Sequence, residues 1–444
     1  MNRDAMAVRD ASAGYDLQAA TLAVPDGDKQ TEVGVIPEDW ELIRFREIFE
    51  FRNGVNADKS SYGHGVRFIN VLEPITYSHI YGPEITGKVM LPEALAVSYE
   101  VRQGDILFNR TSETPDELGF ASVYLGVERV VFGGFVIRGR PVGNKLDSTY
   151  AGYALRAPYV RKQIIPMGQG AIRTNIGQQN LSCVVAPVPS LAEQRAIATA
   201  LGDVDALLEG LDRLIAKKRD LKQAAMQQLL TGQTRLPGFE RKWEMKRLGD
   251  LAAMGSGGTP LSTVPAYYGG DIPWVAISDM TQGGKILEST ERNLTTLGFA
   301  NSAAQMFPAG TVLYAMYASL GECSIAGVPL CSSQAILGIR PKNTLSPEFL
   351  YHHLASLKSI VQTLGQQGTQ SNLNKGMVQD FHLKLPHVTE QIAIAAVFSD
   401  MDAEIESLEQ RRAKSAALKQ AMMQELLTGR TRLVEPHREG VARA

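Results

Sequence analysis

Shifted on itself by 197 residues, the chain aligns positions 193–236 with 390–433 without a gap, and 25 of those 44 positions are identical. The matches include Met, Gln, Asp and Gly at fixed places, which biased composition does not produce, so this is an internal duplication. Each copy reads as one long helix. No proline lies between Leu191 and Leu236 or between Val388 and Leu433, and Ala, Leu, Gln, Lys and Glu dominate both stretches. "VVAPVPS" and "HLKLPHV" precede the copies as proline-bearing strand ends, with Ser190 and Thr389 as candidate N-caps. Thr231-Gly232 and Thr428-Gly429 supply the stops, glycine taking the left-handed terminal conformation. About 40 residues at ~1.5 Å each make a rod of roughly 60 Å.

Apolar residues in both rods step by three and four: Leu201, Val204, Leu208, Leu211 and Ile215 in the first, Phe398, Met401, Ile405 and Leu408 in the second. Such a seam seeks a partner helix. Each rod could pack only on its own domain, but two homologous rods in one chain can bury each other's seams. Related copies pair about a pseudo-twofold axis, which sets them antiparallel. Lys218, Lys222 and Arg412 interrupt the seam and leave its register open.

The stretches ahead of the rods correspond more loosely. "IPEDWELIRFREIF" (36–49) matches "FERKWEMKRLGDLA" (239–252), aligning Trp40 with Trp243; "RFINVL" (67–72) matches "PWVAIS" (273–278), and "QGDILFNR" (103–110) matches "AGTVLYAM" (309–316). Short apolar runs cut by Gly and Pro read as strands. The order is mixed domain, rod, mixed domain, rod: a flexible arm at 1–30, domains at 31–190 and 237–387, helical spacers at 191–236 and 388–433, and a tail at 434–444.

This organisation resembles the specificity subunit of a Type I restriction–modification system. The resemblance covers roughly residues 36–433. It is carried by "IPEDW" at the first domain, "EQRAIA" and "EQIAIA" opening the rods, and "LLTGQTRL" and "LLTGRTRL" closing them. It implies an α+β fold in which two mixed α/β target-recognition domains each precede a long helix, the helices pairing as an antiparallel coiled coil. Each domain would read one half of a bipartite, asymmetric site on double-stranded DNA. The helices would set the spacer and dock two modification (methyltransferase) subunits, with restriction/translocase subunits joining in the full complex. S-adenosylmethionine, ATP and Mg are then expected on those partners, with no cofactor, metal or catalytic residue in this chain.

Composition neither demands nor forbids this. Net charge is −2, and by count residues 37–190 hold 16 basic against 16 acidic groups, residues 237–386 hold 11 against 10. A protein that merely coats nucleic acid is basic; near-neutrality is tolerable where partners supply much of the phosphate contact. Three cysteines without a CxxC pair and no apolar run near ~18 residues point to a cytoplasmic protein without a membrane span. "GPEITGKV" (82–89) has phosphate-loop spacing, but Val89 replaces the required hydroxyl residue. No Pro-Pro dipeptide occurs, so an adenine methyltransferase motif is absent, and His352-His353 lack ligand-spaced companions.

Candidate DNA contacts differ between the copies. "LFNRTSET" ends a strand with Asn109, Arg110, Thr111 and Ser112, and the matched piece offers Tyr314, Tyr317 and Ser319. "GQGAIRTNIGQQN" and "GQQGTQSNLNKG" add Arg173, Gln178, Gln367 and Gln370. Gln and Asn read adenine and Arg reads guanine through paired hydrogen bonds. Asn175 and Asn372 are identical in both copies, so they suit a loop-capping role better than specificity. The alternative reading is a coiled-coil adaptor carrying two protein-binding domains; salt-dependent, sequence-selective DNA binding separates the two.

Overall fold

The structure is a computed structural model and describes residues 24–170, 173–367 and 372–435. Two compact units emerge, one formed by the described residues up to Leu208 together with those from Lys414 onward, the other by Glu209–Ala413. These units cut across the sequence repeat, because each takes the start of one long helix and the end of the other.

In the first unit, Asp28–Thr31 and Gly34–Pro37 form an antiparallel hairpin, so residues 28–30 belong to a strand rather than to an arm. Lys29 Nζ fastens it, donating to the carbonyls of Glu38 (2.8 Å) and Trp40 (2.7 Å). Residues 1–23 lie outside the described residues. A five-stranded sheet runs in the order Phe49–Asn53, Val136–Pro141, Ile106–Asn109, Ala121–Tyr124, His79–Ile80. A second sheet of four strands orders Lys88–Val89, Tyr62–Ile69, Val130–Phe132 and Glu100–Val101. The second unit repeats the plan: five strands in the order Ala252–Ser256, Ile336–Pro341, Val312–Ala315, Cys323–Ala326, Ile286–Leu287, and three in the order Arg292–Leu294, Tyr268–Val275, Cys331–Ser332. In both, the last strand before the long helix pairs antiparallel with a strand near the domain's start, Val185–Val188 with Glu41–Arg44 and His382–Leu385 with Glu244–Arg247.

The long helices span Leu191–Leu229 and Val388–Leu426, 39 residues each. Ser190 caps the first, its Oγ accepting from Glu193 N (3.3 Å). The second begins two residues earlier than a Thr389 cap requires: Thr389 sits in the first turn, its hydroxyl beside His387 Nδ1 (3.0 Å). Gly232 and Gly429 end the helices with φ of +70° and +75°. Side chains are also excluded there by packing, since a Cβ would meet the Trp243 ring at 3.2 Å in one case and Pro37 at 2.3 Å in the other.

Within each unit the two helices run antiparallel. In the first, Asp205 pairs with Lys419 (2.5 Å) and Glu193 with Arg432. In the second, Lys222 pairs with Asp402, Lys218 with Glu404 (2.6 Å) and Asp212 with Arg412 (2.8 Å). The lysines that interrupt the apolar spacing therefore face carboxylates. Exposed pairs of this kind contribute ~0–1 kcal/mol each and mainly fix register. Of the expected seam, Leu211, Ile215 and Ile405 are buried, and Val204, Leu208, Met401 and Leu408 are half-buried. Leu201 belongs to a core shared by the first domain with Leu426 and Leu427 of the other helix, and Phe398 to one shared by the second domain with Leu229 and Leu230. At its ends each helix thus packs on a domain as well as on its partner.

The identical Glu-Gln pairs hold the helix starts. Gln194 accepts from Asp147 N (2.7 Å) and donates to the carbonyls of Lys145 and Pro189, while Gln391 accepts from Ser346 N (2.8 Å) and donates to those of Thr344 and Pro386. Glu193 and Glu390 are 1% exposed. Each accepts from a tryptophan Nε1 at 3.1 Å, Trp40 or Trp243, and from an arginine, Arg432 or Arg235. Arg432 also forks onto Asp39 (2.9 and 2.8 Å), which holds the Asp39 carboxyl below its ordinary pKa and raises that of the guanidinium.

Candidate DNA interface of each domain

In both domains the third strand of the five-stranded sheet delivers the candidate residues. Ile106–Asn109 and Val312–Ala315 are buried along their whole length. This placement corrects two expectations. Asn109 is 0% exposed, its Nδ2 donating to Glu117 O (3.0 Å), and Tyr314 is 0% exposed with its hydroxyl unpartnered and burial raising its pKa. Both are core residues, because a central strand covered on two faces has no solvent side.

Beyond the strand end the chain does reach the surface. Thr111–Ser112 pairs antiparallel with Thr174–Asn175, in register Thr111↔Asn175 and Ser112↔Thr174, so the two stretches singled out in the sequence meet. Thr111 Oγ1 donates to Asn175 Oδ1 (2.6 Å), and Asn175 Nδ2 returns a bond to Arg173 O (3.2 Å). Asn175 thus buttresses the loop. Arg173 is exposed and pairs with Glu113 at 3.0 Å. Ser112 is 5% exposed, its Oγ donating to Glu117 Oε2 (2.9 Å), which takes it out of direct readout. Arg110 is half-buried, with Nη1 donating to Gly134 O (3.2 Å). Gln178 opens the helix Gln178–Cys183, half-buried, its amide within 3.2 Å of Phe51 O.

The second domain brings the matching stretches together through Leu373 N, which donates to Met316 O (3.0 Å). Tyr317 is exposed and Ser319 half-buried. Between them Ala318 takes φ +58°, a left-handed conformation that disfavours a side chain and is retained where surrounding structure enforces it. Gln370 and the side chain of Gln367 lie outside the described residues. Leu72 and Phe135 stand exposed beside the first domain's strand end, and nothing in their local sequence marks them.

The "GPEITGKV" stretch is a closed turn, with Glu84 Oε2 accepting from Tyr81 N (3.1 Å) and Gly82 N (2.9 Å). His352 and His353 lie in the helix Pro347–Ser356 with unpartnered ring nitrogens, and burial holds them at about 3 and about 4. Among the described residues no cluster of three His, Cys, Asp or Glu fits a metal ion, and no helix is long and apolar enough to cross a membrane.

Two differing mixed domains, each closed by one of a matched pair of helices and each carrying a polar strand end, have the organisation of a tandem DNA-specificity protein. The family described as "Type I restriction modification DNA specificity domain" matches residues 240–415. The chain is similar to the putative type I restriction enzyme MjaX specificity subunit of Methanocaldococcus jannaschii, 26% identical over 423 residues, which covers 91% of this chain and 96% of that protein. It is also similar to the HindI specificity subunit of Haemophilus influenzae, 32% identical over 149 residues, 33% of this chain and 32% of that protein. The fold matches the crystal structure of the S subunit from M. genitalium, with TM-score 0.54 and 15% identity over 87% of this chain and 96% of that one. It also matches a solved chain of a type I R-M system, with TM-score 0.57 and 17% identity over 89% and 99%. The chain thus resembles type I restriction enzyme specificity subunits over most of its length, and its second domain and part of the second long helix match their DNA specificity domain.

Proposed function

We propose that this chain reads a bipartite, asymmetric DNA site, residues 31–190 taking one half and 237–387 the other. The carrying observation is that the helices match closely while the residues presented by the same frame differ: Arg110, Thr111 and Arg173 in one domain, Tyr317 and Ser319 in the other. Identical supports with dissimilar readers suit two different half-sites. Base edges rather than phosphates carry that discrimination. The antiparallel helices set the spacer and dock two modification subunits, with restriction/translocase subunits joining them. In this account the chain is non-catalytic and cytoplasmic. S-adenosylmethionine sits on the modification subunits, and ATP and Mg serve the translocase.

The test is reconstitution. The chain with modification subunits should bind one split sequence selectively, with affinity falling steeply as salt rises. A complex that assembles yet shows no sequence preference supports the adaptor alternative instead.

A further inference from the structure

A cleft of about 350 Å³ opens beside the strand end of the first domain. One wall is apolar. Leu72, the first residue of the helix Leu72–Thr76, is 73% exposed, and Phe135, between the strands Val130–Phe132 and Val136–Pro141, is 48% exposed; Ile75 completes the wall. The other wall is polar, built from Thr111, Glu113 and Arg173. Arg110 N donates to Phe135 O (2.8 Å), which ties the aromatic residue to the reading strand. Large apolar side chains left this exposed beside polar groups mark a contact surface.

The second domain shows that the scaffold does not require this wall. There Met316 N makes the equivalent bond to Ala335 O (2.9 Å), so alanine stands where the first domain has Phe135. By the alignment of "RFINVL" with "PWVAIS", exposed Ser278 replaces Leu72. Tyr317 replaces Thr111. The apolar wall is a property of the first reader alone, as a specificity feature would be.

We infer that this cleft reads a thymine in the major groove of the first half-site, seating its 5-methyl group against Leu72, Ile75 and Phe135. Thymine is the base whose major-groove edge sets a methyl group beside an oxygen acceptor. The Thr111 hydroxyl proton is committed to Asn175. Arg173, whose guanidinium carries five N–H donors and gives one to Glu113, is the donor to thymine O4. The inference rests on the DNA-specificity reading above.

The experiment uses the full chain reconstituted with modification subunits, and duplexes in which each thymine of the target is replaced singly by deoxyuridine. That change removes only the methyl group. One thymine of the first half-site should lose roughly 3- to 10-fold in affinity on replacement. Phe135→Ala and, separately, Leu72→Ala should bring the thymine-to-uracil ratio at that position close to one while leaving the second half-site's responses unchanged. Both side chains are exposed, so neither substitution empties a core. The inference is overturned if the complex binds selectively but its first half-site holds no thymine, or no position there responds to deoxyuridine. It is equally overturned if both variants keep the full ratio. Loss of all sequence selectivity by the wild-type complex is a different result, and it rejects the specificity reading together with this one.

Discussion

Replacing Arg235 with alanine should loosen the junction between the end of the first long helix and the start of the second. Glu390 is 1% exposed and accepts three bonds there, from Arg235 Nε (2.6 Å), Arg235 Nη2 (2.7 Å) and Trp243 Nε1 (3.1 Å). Removing one partner of a buried pair costs ~3–5 kcal/mol because the other charge stays buried. The Arg235 side chain is 27% exposed, so water can enter the vacated space, and the lower figure of ~2–3 kcal/mol is the better expectation. At 1.4 kcal/mol per tenfold, that is roughly 30- to 150-fold in the local opening equilibrium. Native-state hydrogen exchange read by mass spectrometry measures it directly. Segments 231–247 and 388–398 should lose that much protection while segments within 41–190 keep theirs. Glu390→Gln should cost less, since a neutral acceptor remains. The double variant should be less damaged than the sum, as the two groups form one contact. A loss under about threefold for Arg235→Ala, or additive losses in the double variant, would refute the argument that this buried pair locks the helix start.

The remaining expectations follow from the same contacts. Leu208→Asp with Ile405→Asp places charge on the helix seam, and gel filtration should show lost assembly with the modification subunit while circular dichroism shows both domains folded. A fragment of residues 1–236 lacks 414–433, but 217–236 of a second copy can replace it, because Asp205–Lys419 and Asp402–Lys222 are one contact made twice, as are Glu193–Arg432 and Glu390–Arg235. Its solution mass should be that of a dimer, weakened by the unmatched Asp212–Arg412 pair, and a strictly monomeric fragment contradicts the symmetry of the contacts. His352 and His353 are held at about 3 and about 4, below the ordinary 6.5, so the unfolded chain binds more protons between those values. Their contribution is complete above pH 6.5 and declines on acidification by up to ~1.4 kcal/mol per pH unit for each. Urea unfolding of the second domain should show that acid limb, and His352→Phe should reduce its slope to the part that His353 contributes.

The duplication made the helices, their stops and their antiparallel pairing readable, because identity at 197-residue spacing reports on geometry without any need to know contacts. Their deeper anchoring was not readable. Glu193 fits a helix first turn by position, yet its partners are Trp40 and Arg432, separated from it by 153 and 239 residues. The two polar stretches chosen as readers do meet, but Asn109 and Tyr314 turn inward, since residue type does not say that both faces of a strand are covered. Leu72 and Phe135 are hidden in the sequence for the converse reason: an apolar residue reads as core, and only the fold reveals it standing exposed.

The central claim is that two independent readers share one frame, and the most direct measurement exchanges one of them. Residues 243–386 are replaced by the equivalent part of a relative with a different target, the complex is expressed in cells, and methylated positions are mapped across the genome. The methylated site should be a hybrid whose first half and spacing are retained and whose second half is that of the donor. A chimera that assembles and methylates at sites differing in both halves, or that keeps the original site entire, contradicts it.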